Sequence, residues 1–165
     1  MLKPVKIMFL AVGGTIDKVY FDRLSSYKVG DPGVSDILGD ANVSFAYECE
    51  SILRKDSLYM TEKDRQTVYD RVAAVQSRHI VITHGTDTMV KTARKLKGIK
   101  GKVIVITGAM QPARFKSTDA EFNIGAAAAA VQLLPDGVYI VMNGRVFDPD
   151  RIKKNRKLNR FEEKE

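Results

Sequence analysis

Four short apolar runs recur along the chain, with longer and more polar segments between them. Each run is almost continuously hydrophobic, which is typical of strands buried on both faces of a parallel sheet. The runs are Val5–Val12, His79–Thr83, Lys102–Thr107 and Val138–Met142. The segments between them include helical patterns, and strands that alternate with helices indicate an α/β fold. We therefore predict a doubly wound, mainly parallel sheet with helices on both faces.

Capping patterns predict where two of the helices begin. Thr61 stands three residues before Asp64, and Thr118 stands three residues before Glu121. A threonine followed at this distance by an acidic residue can satisfy free N–H groups in the first helical turn. The run Ala126–Ala130 lies in the second of these helices and suits close packing on a sheet, because alanine favours helices strongly. A further helix is predicted directly after the second apolar run.

Three other segments have less regular patterns. Val43–Glu50 alternates between apolar and polar residues, so we predict a half-exposed edge strand with Cys49 as an inert core thiol. About twenty residues after Gly14 show no clean periodicity and are expected to form a functional loop. Asn143-Gly144 predicts a type I′ turn, after which Arg145–Phe147 returns as a short hairpin arm.

Length and composition exclude several classes of protein. The chain has 165 residues, with 44% apolar and 28% charged, as expected for one globular domain. Its longest apolar run has about eight residues, whereas a membrane helix needs roughly 18 or more. One cysteine and two histidines provide neither an internal disulfide nor a zinc cluster. We expect a cytoplasmic protein that does not bind a membrane and needs no metal or other cofactor.

The positive charge is concentrated near the end of the sequence. The net charge is +7, and the residues from Arg151 onward contain seven Lys or Arg and three Glu. Because the body of the chain is only mildly basic, the charge does not indicate a nucleic-acid-binding groove. We expect residues 1–154 to form a single domain and residues 155–165 to form a basic tail. This tail is expected either to extend into solvent or to contact another copy of the chain.

Small and polar residues follow the predicted strands at Gly13-Gly14-Thr15, Asp56-Ser57 and His84-Gly85-Thr86-Asp87. In open α/β sheets, ligands bind beyond the carboxyl ends of the strands. Glycine lets the backbone approach a ligand, and a neighbouring hydroxyl can act as a nucleophile. Structural roles are also open: Thr86 and Asp87 are ordinary helix N-caps, the glycine pair suits a turn, and His84 suits a packed residue. Neither a dinucleotide fingerprint nor a P-loop is present.

Two of these loops carry extended motifs. AVGGTID at Ala11–Asp17 and ITHGTDTM at Ile82–Met89 resemble the two signature motifs of the bacterial-type L-asparaginase family. ITGAMQP at Ile106–Pro112 and VMNGRVFD at Val141–Asp148 are similar to other segments of that family. The resemblance covers the chain from Val5 to about Lys154.

The resemblance implies a catalytic group of five residues. Thr15 matches the family's favoured nucleophile, and Tyr27 matches the lid tyrosine that activates it, with Tyr20 as the less favoured alternative. The other three matches are Thr86 with the second threonine, Asp87 with the aspartate that holds the substrate α-ammonium, and Lys154 with the lysine that partners Thr86. The distance of Lys154 from Asn143 favours it over Lys153. Which threonine is acylated stays open.

The resemblance also implies how a substrate would be held. Ser57 matches the serine that binds the α-carboxylate of the substrate. The residues beside the matched hydroxyls complete the expected binding loops: Gly14 precedes Thr15, Asp56 precedes Ser57, and Gly85 precedes Thr86. Leu58 follows Ser57 at a position where many relatives carry a polar residue.

The activity implied is hydrolysis of L-asparagine to L-aspartate and ammonia through an acyl-threonine. The alternatives are a glutaminase acting on L-glutamine, an ammonia-donating amidase, and a non-catalytic module that binds an amino acid or a polyanion. Most relatives have a second domain, whose glutamate reaches the first threonine from a neighbouring subunit. We expect a short, single-domain member that forms a homo-oligomer, a dimer or tetramer. Phe161 would anchor on a neighbouring copy, and Glu162 or Glu163 would replace that glutamate.

Overall fold

Ten strands and four α-helices make up the described part of the chain, residues 5–21 and 26–164, in the computed structural model. In chain order the elements are β1 (Lys6–Ala11), β2 (Lys18–Phe21), β3 (Ser26–Val29), α1 (Val34–Asp40), β4 (Ala46–Ser51), α2 (Glu62–Ala74), β5 (His79–Thr83), α3 (Met89–Leu96), β6 (Val103–Thr107), α4 (Ala120–Leu133), β7 (Gly137–Met142), β8 (Arg145–Phe147), β9 (Ile152–Asn155) and β10 (Arg160–Glu163). All four predicted buried strands are present, as β1, β5, β6 and β7.

A six-stranded sheet has the order β4-β1-β5-β6-β7-β8. The first five strands are parallel, and β8 runs antiparallel to β7. The chain leaves β1 toward one edge, to β4, and then crosses to the other side, to β5. This change of direction creates a switch point between the carboxyl ends of β1 and β5, where ligands bind in sheets of this kind.

Helices cover both faces of the sheet. On one face, the buried residues of α2 and α3 pack with inward-facing residues such as Leu10, Ile82 and Ile106. On the other face, those of α1 and α4 pack with Phe9, Val105 and their neighbours. Successive residues of one strand contribute to opposite cores, which explains why the strands are continuously apolar. The predicted doubly wound α/β fold is confirmed.

One of the two predicted helix caps is correct. Thr61 and Asp64 form a reciprocal capping box at the start of α2. At α4, Asp119 occupies the N-cap position, so the predicted cap at Thr118 is wrong. The Thr118 hydroxyl still accepts the Ala120 N–H at 3.1 Å, while the Asp119 carboxylate accepts backbone N–H groups of the preceding loop.

The segment after Gly14 is more ordered than predicted. Strands β2 and β3 pair antiparallel, with Tyr20 opposite Tyr27 and their ring centroids 5.6 Å apart. The prediction of a loop without secondary structure is therefore wrong for the described residues. Each strand has only four residues, too few for a clear alternation, and an aromatic cross-strand pair supplies the stabilisation. Residues 22–25, within the predicted functional loop, lie outside the described residues.

The edge strand is confirmed, but the predicted position of its thiol is wrong. Strand β4 pairs only with β1 among the described strands. Cys49 is exposed rather than part of the core. Phe45, just before β4, and Tyr47 have ring centroids 6.4 and 6.2 Å from that of Phe9. At the edge of a sheet, a residue has neighbours on one side only, so an apolar pattern there does not ensure burial.

The end of the chain folds onto the sheet. Asn143 and Gly144 have positive φ angles of 54° and 76°, as the predicted type I′ turn requires. Strands β9 and β10 then form a second hairpin, in which Phe161 is 3% exposed and packs in the core beside α2 and α3. The expectation that Phe161 anchors on a neighbouring copy is therefore wrong. Glu162 accepts hydrogen bonds from Asn155 and Arg160 of its own hairpin.

Within the described residues, no helix combines the length and the hydrophobicity needed to cross a membrane.

Candidate active site

The loops that follow β1 and β5 lie side by side at the switch point. Backbone hydrogen bonds continue past the strand ends, from Val12 N–H to the Thr83 carbonyl and from His84 N–H to the Thr107 carbonyl, both at 2.9 Å. They hold the glycine-threonine pairs at positions 14–15 and 85–86 at one end of the sheet. The two loops that carry the extended motifs therefore lie together and form one candidate site.

Glycines allow these loops to touch. Gly14 has a φ of +96°, and a Cβ atom there would overlap the backbone of Gly85. A Cβ atom at Gly85 would lie 2.6 Å from both Cβ and Oγ of Ser57. The three loops thus approach so closely at Gly14 and Gly85 that no side chain would fit at either position. Thr15 and Thr86 each follow one of these glycines.

Substitution of Gly85 by alanine is expected to destabilise the protein by about 1–3 kcal/mol, as overpacking typically does. The added methyl group would displace the buried Ser57 side chain. Gly125 is the matched control, because a Cβ atom there would meet nothing within 4 Å. Gly125→Ala, in an exposed position of α4, should be neutral or stabilising by up to about 1 kcal/mol. Urea unfolding followed by circular dichroism measures both, and equal stability of Gly85→Ala and the wild type would contradict the close contact.

Lys154, Thr86 and Asp87 form a hydrogen-bonded group. The Lys154 Nζ donates to Thr86 Oγ1 at 2.7 Å and to Asp87 Oδ1 at 2.9 Å. Thr86 is buried, while the side chains of Lys154 and Asp87 are partly buried. Arg156 adds a longer ion pair to Asp87, at 3.5 Å. Charged partners in a partly desolvated position strengthen these hydrogen bonds.

The β9–β10 hairpin brings Lys154 back to the strand ends. Ile152 and Phe161 are both buried in the core, and the Phe161 N–H donates to Asn143 Oδ1 at 2.9 Å. Successive residues of a strand point to opposite sides. Lys154 therefore lies on the same strand face as the buried Ile152, whereas the neighbouring Lys153 lies on the opposite face and is exposed.

Thr86 and Asp87 do not begin the following helix. Helix α3 begins at Met89, with Thr88 at the N-cap position, so the interpretation of Thr86 and Asp87 as caps is wrong. The Thr88 hydroxyl donates to the Ser57 carbonyl at 2.9 Å and thereby ties this turn to the Ser57 loop. Both side chains that could have capped the helix are instead directed to Lys154.

Thr15 and Tyr27 line a second part of the site. They border a cleft of about 250 Å³ whose other lining residues are Lys18, Met110, Gln111, Pro112 and Phe115. Tyr27 is 50% exposed, and its ring centroid lies 5.9 Å from that of Phe115. Tyr20 packs against Tyr27 but does not line the cleft. The structure therefore brings Tyr27, rather than Tyr20, to the same cleft as Thr15.

Ser57 is almost fully buried beside Gly85. It is 1% exposed, and its Oγ has no hydrogen-bond partner among the described residues. An unpaired buried hydroxyl costs about 1–3 kcal/mol. The preceding residue, Asp56, accepts the Leu58 N–H at 3.1 Å and so fixes the turn that holds Ser57.

Lys18 and Asp119 were not predicted from the sequence. Lys18 lines the cleft and pairs with Asp56 at 2.7 Å. Burial alone would raise the pKa of Asp56, but hydrogen bonds from Lys18 and the Leu58 N–H, with the charges of Lys18 and Lys154, lower it. Asp119 accepts the N–H groups of Met110 and Gln111 at 2.9–3.0 Å and so shapes the cleft wall. The position of Asp119 just before a predicted helix was the feature of the sequence that could have indicated this role.

His84 is a structural residue. Its Nδ1 lies 2.8 Å from the Gly85 carbonyl, which can only accept, so Nδ1 carries the proton and Nε2 accepts from Thr92 Oγ1 at 2.8 Å. Burial lowers the pKa of His84 to about 4, so the ring is neutral near pH 7. The packed, hydrogen-bonded role considered for this residue is confirmed.

Asp17 should make stability depend on pH. It is 4% exposed, and burial raises its pKa from 3.8 to about 6, although the Gly33 N–H and the charges of Arg114 and Arg54 lower it. A raised carboxyl pKa means that stability is greatest below pH 4 for this group and falls as pH rises through 6. Asp17→Asn should therefore stabilise the protein by about 2–3 kcal/mol at pH 8, at 1.36 kcal/mol per pKa unit.

The same substitution should have little effect at pH 4. Urea unfolding of the wild type and Asp17→Asn at five pH values from 4 to 8 measures this difference. An effect of equal size at pH 4 and pH 8 would show that the charge of Asp17 is not its cause.

No group of three or more His, Cys, Asp or Glu side chains suited to a metal ion occurs in the part of the chain that the structure describes.

Comparison with known proteins identifies the family to which this chain is similar. The family described as "Asparaginase, N-terminal" matches residues 6–162. L-asparaginase 2 of Escherichia coli is 33% identical over 161 residues, which is 86% of this chain and 44% of that protein. A glutaminase-asparaginase of Acinetobacter glutaminasificans is 32% identical over 122 residues, which is 70% of this chain and 36% of that protein.

A solved structure is also similar. The thermostable L-asparaginase from Thermococcus kodakarensis superposes with a TM-score of 0.82 at 27% sequence identity. The match covers 96% of this chain and 51% of that one. The chain thus spans about half, or less, of the length of these relatives.

Proposed function

Because this chain belongs to the asparaginase family, we propose that it is an amidohydrolase that converts L-asparagine to L-aspartate and ammonia. One observation carries the proposal: Lys154 donates hydrogen bonds to both Thr86 and Asp87 at the switch point of the sheet. A threonine hydroxyl is a weak nucleophile and needs neighbouring groups that move its proton. A threonine that served only as a cap or turn residue would need no such lysine.

We assign the first step to the Thr15 hydroxyl, in accordance with the family resemblance. Its oxygen attacks the side-chain carboxamide carbon, the C–N bond breaks, and the hydroxyl proton leaves on nitrogen as part of ammonia. Tyr27 lines the same cleft as Thr15, which supports it as the group that relays this proton. Backbone N–H groups in the glycine-rich loops are suited to stabilise the tetrahedral oxyanion, an effect worth about 3–4 kcal/mol per donor.

Water completes the reaction in the second step. A water hydroxyl adds to the acyl carbon, the ester bond to Thr15 breaks, and the remaining proton of the water returns to the threonine oxygen. Thr86 with Lys154 is the group that polarises this water, because the Thr86 hydroxyl and the Lys154 ammonium are in direct contact. The sum of the two steps is one amide and one water converted to one carboxylic acid and one ammonia.

The substrate's α-groups would bind opposite the carboxamide. Asp87 provides a carboxylate for the α-ammonium, and Ser57 provides a hydroxyl without a partner among the described residues for the α-carboxylate. Gly14 and Gly85 allow the ligand to approach the backbone closely, and Asp56 holds the Ser57 turn. A homo-oligomer remains part of the proposal, since Tyr20, Tyr27 and Phe115 leave an aromatic surface exposed beside the cleft.

Ammonia release by the purified chain tests the proposed function. Parallel reactions contain L-asparagine, L-glutamine or buffer alone, each with and without EDTA. We expect release from L-asparagine well above the buffer reaction and unaffected by EDTA. Loss of activity with EDTA would contradict a metal-free mechanism, and ligand binding without any ammonia would favour a non-catalytic binding module.

L-glutamine is the second candidate substrate. A relative named as a glutaminase-asparaginase supports it, and one additional methylene changes transition-state binding by only ~1–3 kcal/mol. Comparable kcat/KM values for both amides would keep the amidohydrolase proposal but refute asparagine specificity.

Mass spectrometry identifies the acylated residue. Acid-quenched reactions are digested, and the peptides that contain Thr15 and Thr86 are compared. An aspartyl group on the Thr15 peptide is expected, whereas the same group on the Thr86 peptide would reverse the two assignments.

A further inference from the structure

We propose that Asp17 is a positioning residue that fixes the base of the β2–β3 hairpin and thereby holds Tyr27 beside Thr15. This inference rests on the proposed function for its catalytic consequence, but not for its structural part. Neither the motif analysis nor the arrangement of Lys154, Thr86 and Asp87 gives Asp17 any role.

Asp17 contacts both ends of the hairpin. Strand β2 begins at the next residue, Lys18, so one arm of the hairpin starts directly from Asp17. The other arm returns to it: the Gly30 N–H donates to the Asp17 carbonyl at 2.7 Å, and the Gly33 N–H donates to Asp17 Oδ1 at 2.8 Å. The side-chain bond is buried. The Asp17 backbone carbonyl therefore closes the hairpin at its base, and the carboxylate holds the segment that leaves β3, at Gly33.

The same residue is tied to the loop that carries Thr15. The Asp17 N–H donates to the Gly14 carbonyl at 3.2 Å, in the short 3₁₀ turn Thr15–Asp17. The Ala113 N–H donates to the Ile16 carbonyl at 2.9 Å, which joins this turn to the opposite wall of the cleft. These backbone bonds join the turn that contains Asp17 to both walls between which Thr15 lies.

Burial of the Asp17 carboxylate disfavours its charged form. Burial raises the pKa of Asp17 to about 6, and the charged groups that act on it from neighbouring segments are Arg114 and Arg54. Strongly shifted carboxyl pKa values are more frequent at functional sites than elsewhere in proteins. Here the carboxylate supplies an acceptor that can reach the Gly33 N–H across the closed end of the hairpin.

Substitutions of Asp17 in the full chain test this role. Asp17→Ala removes the acceptor, Asp17→Asn retains an oxygen at the same distance, and Asp17→Ser is a smaller polar replacement in case the alanine variant folds poorly. Asp40→Asn is the matched control, since Asp40 is an exposed carboxylate at the end of α1. Hydrogen exchange of peptides that cover residues 26–33 is measured against exchange in β5, together with the proton chemical shifts of the Tyr27 ring.

The expected result is a local change that occurs when the acceptor is removed and does not occur in the Asp17→Asn variant. In Asp17→Ala or Asp17→Ser, exchange at Gly33 should accelerate about 10-fold, the loss expected for one hydrogen bond, while β5 stays protected. The Tyr27 ring shifts should change, and kcat for ammonia release should fall about 10-fold with a smaller change in KM. Asp17→Asn, which retains the acceptor, and Asp40→Asn should show no faster exchange than the wild type and should match it in the Tyr27 ring shifts and in kcat.

Other outcomes would overturn the proposal in distinguishable ways. Unchanged exchange and unchanged Tyr27 shifts in both Asp17→Ala and Asp17→Ser, which lack the carboxylate, would show that Asp17 does not hold the hairpin. Faster exchange with undiminished kcat would show that the hairpin base does not position the reacting groups. If the wild type releases no ammonia, the proposed function fails, while exchange and the Tyr27 shifts still decide whether Asp17 fixes the hairpin.

Discussion

Replacement of Thr86 by valine is expected to lower kcat by about 100-fold or more. A methyl group cannot replace the hydroxyl that takes part in the acyl-transfer chemistry. The variant removes the oxygen to which Lys154 donates at 2.7 Å but keeps the shape of the side chain. Thr15→Val should cause a loss of the same order. Steady-state ammonia release measures kcat, and circular dichroism establishes that each variant is folded.

A third threonine provides the control. Thr67 lies on the exposed face of α2, where its hydroxyl donates only to the Lys63 carbonyl at 3.1 Å. Thr67→Val should therefore retain wild-type kcat. If Thr86→Val or Thr15→Val retains near-normal turnover while folded, that threonine is a turn residue without a chemical role.

Replacement of Phe161 by alanine is expected to affect stability and activity together. Phe161 is buried in the core, and truncation of a buried phenylalanine typically costs about 3–5 kcal/mol. It lies directly opposite Lys154 in the β9–β10 pairing. Loss of its packing should release β9, displace Lys154 from Thr86 and lower kcat by about 10-fold or more. Urea unfolding and ammonia release measure the two effects on the same preparation.

Leu158→Ala is the control for Phe161→Ala, because it truncates a side chain of the same hairpin that is not packed in the core. Leu158 lies in the turn of the same hairpin and is 55% exposed. Leu158→Ala should leave kcat unchanged and alter stability by less than about 0.5 kcal/mol, as for an ordinary surface position. If Phe161→Ala loses stability but keeps wild-type kcat, the hairpin does not deliver Lys154 to the site.

The regular parts of the fold could be predicted because they depend on local patterns. Continuous apolar runs indicated β1, β5, β6 and β7, and their order along the chain indicated a parallel sheet. The Thr61–Asp64 capping box and the Asn143-Gly144 turn were predictable for the same reason. In each case the residues that determine the structure lie within a few positions of one another.

Other features depend on contacts between distant residues. The four-residue strands β2 and β3 are too short to show a period, and their stability comes from the Tyr20–Tyr27 pair and the bonds at Asp17. Cys49 lies on an apolar pattern, but at an edge where burial depends on neighbours that the pattern does not specify. The position of Phe161 in the core likewise follows from the return of the chain after β8, which no local signal indicates.

The site was predicted in part from the positions of its loops, and more completely from the family resemblance. Without the resemblance, Lys154 was one cation among several near the end of the sequence. The structure provides the missing reason: a hairpin anchored by Ile152 and Phe161 carries Lys154 to Thr86. Lys18 was missed because its significance lies in a partner, Asp56, that is distant in the sequence.

The most direct test of the proposed activity compares the wild-type chain with the Thr15→Val/Thr86→Val double variant, purified in the same way. Both are supplied with L-asparagine, and ammonia and aspartate are measured in the same reactions. We expect equal amounts of the two products from the wild type and neither above background from the folded double variant. Equal release by both proteins, or none by the wild type, would contradict the assignment of amide hydrolysis to this site.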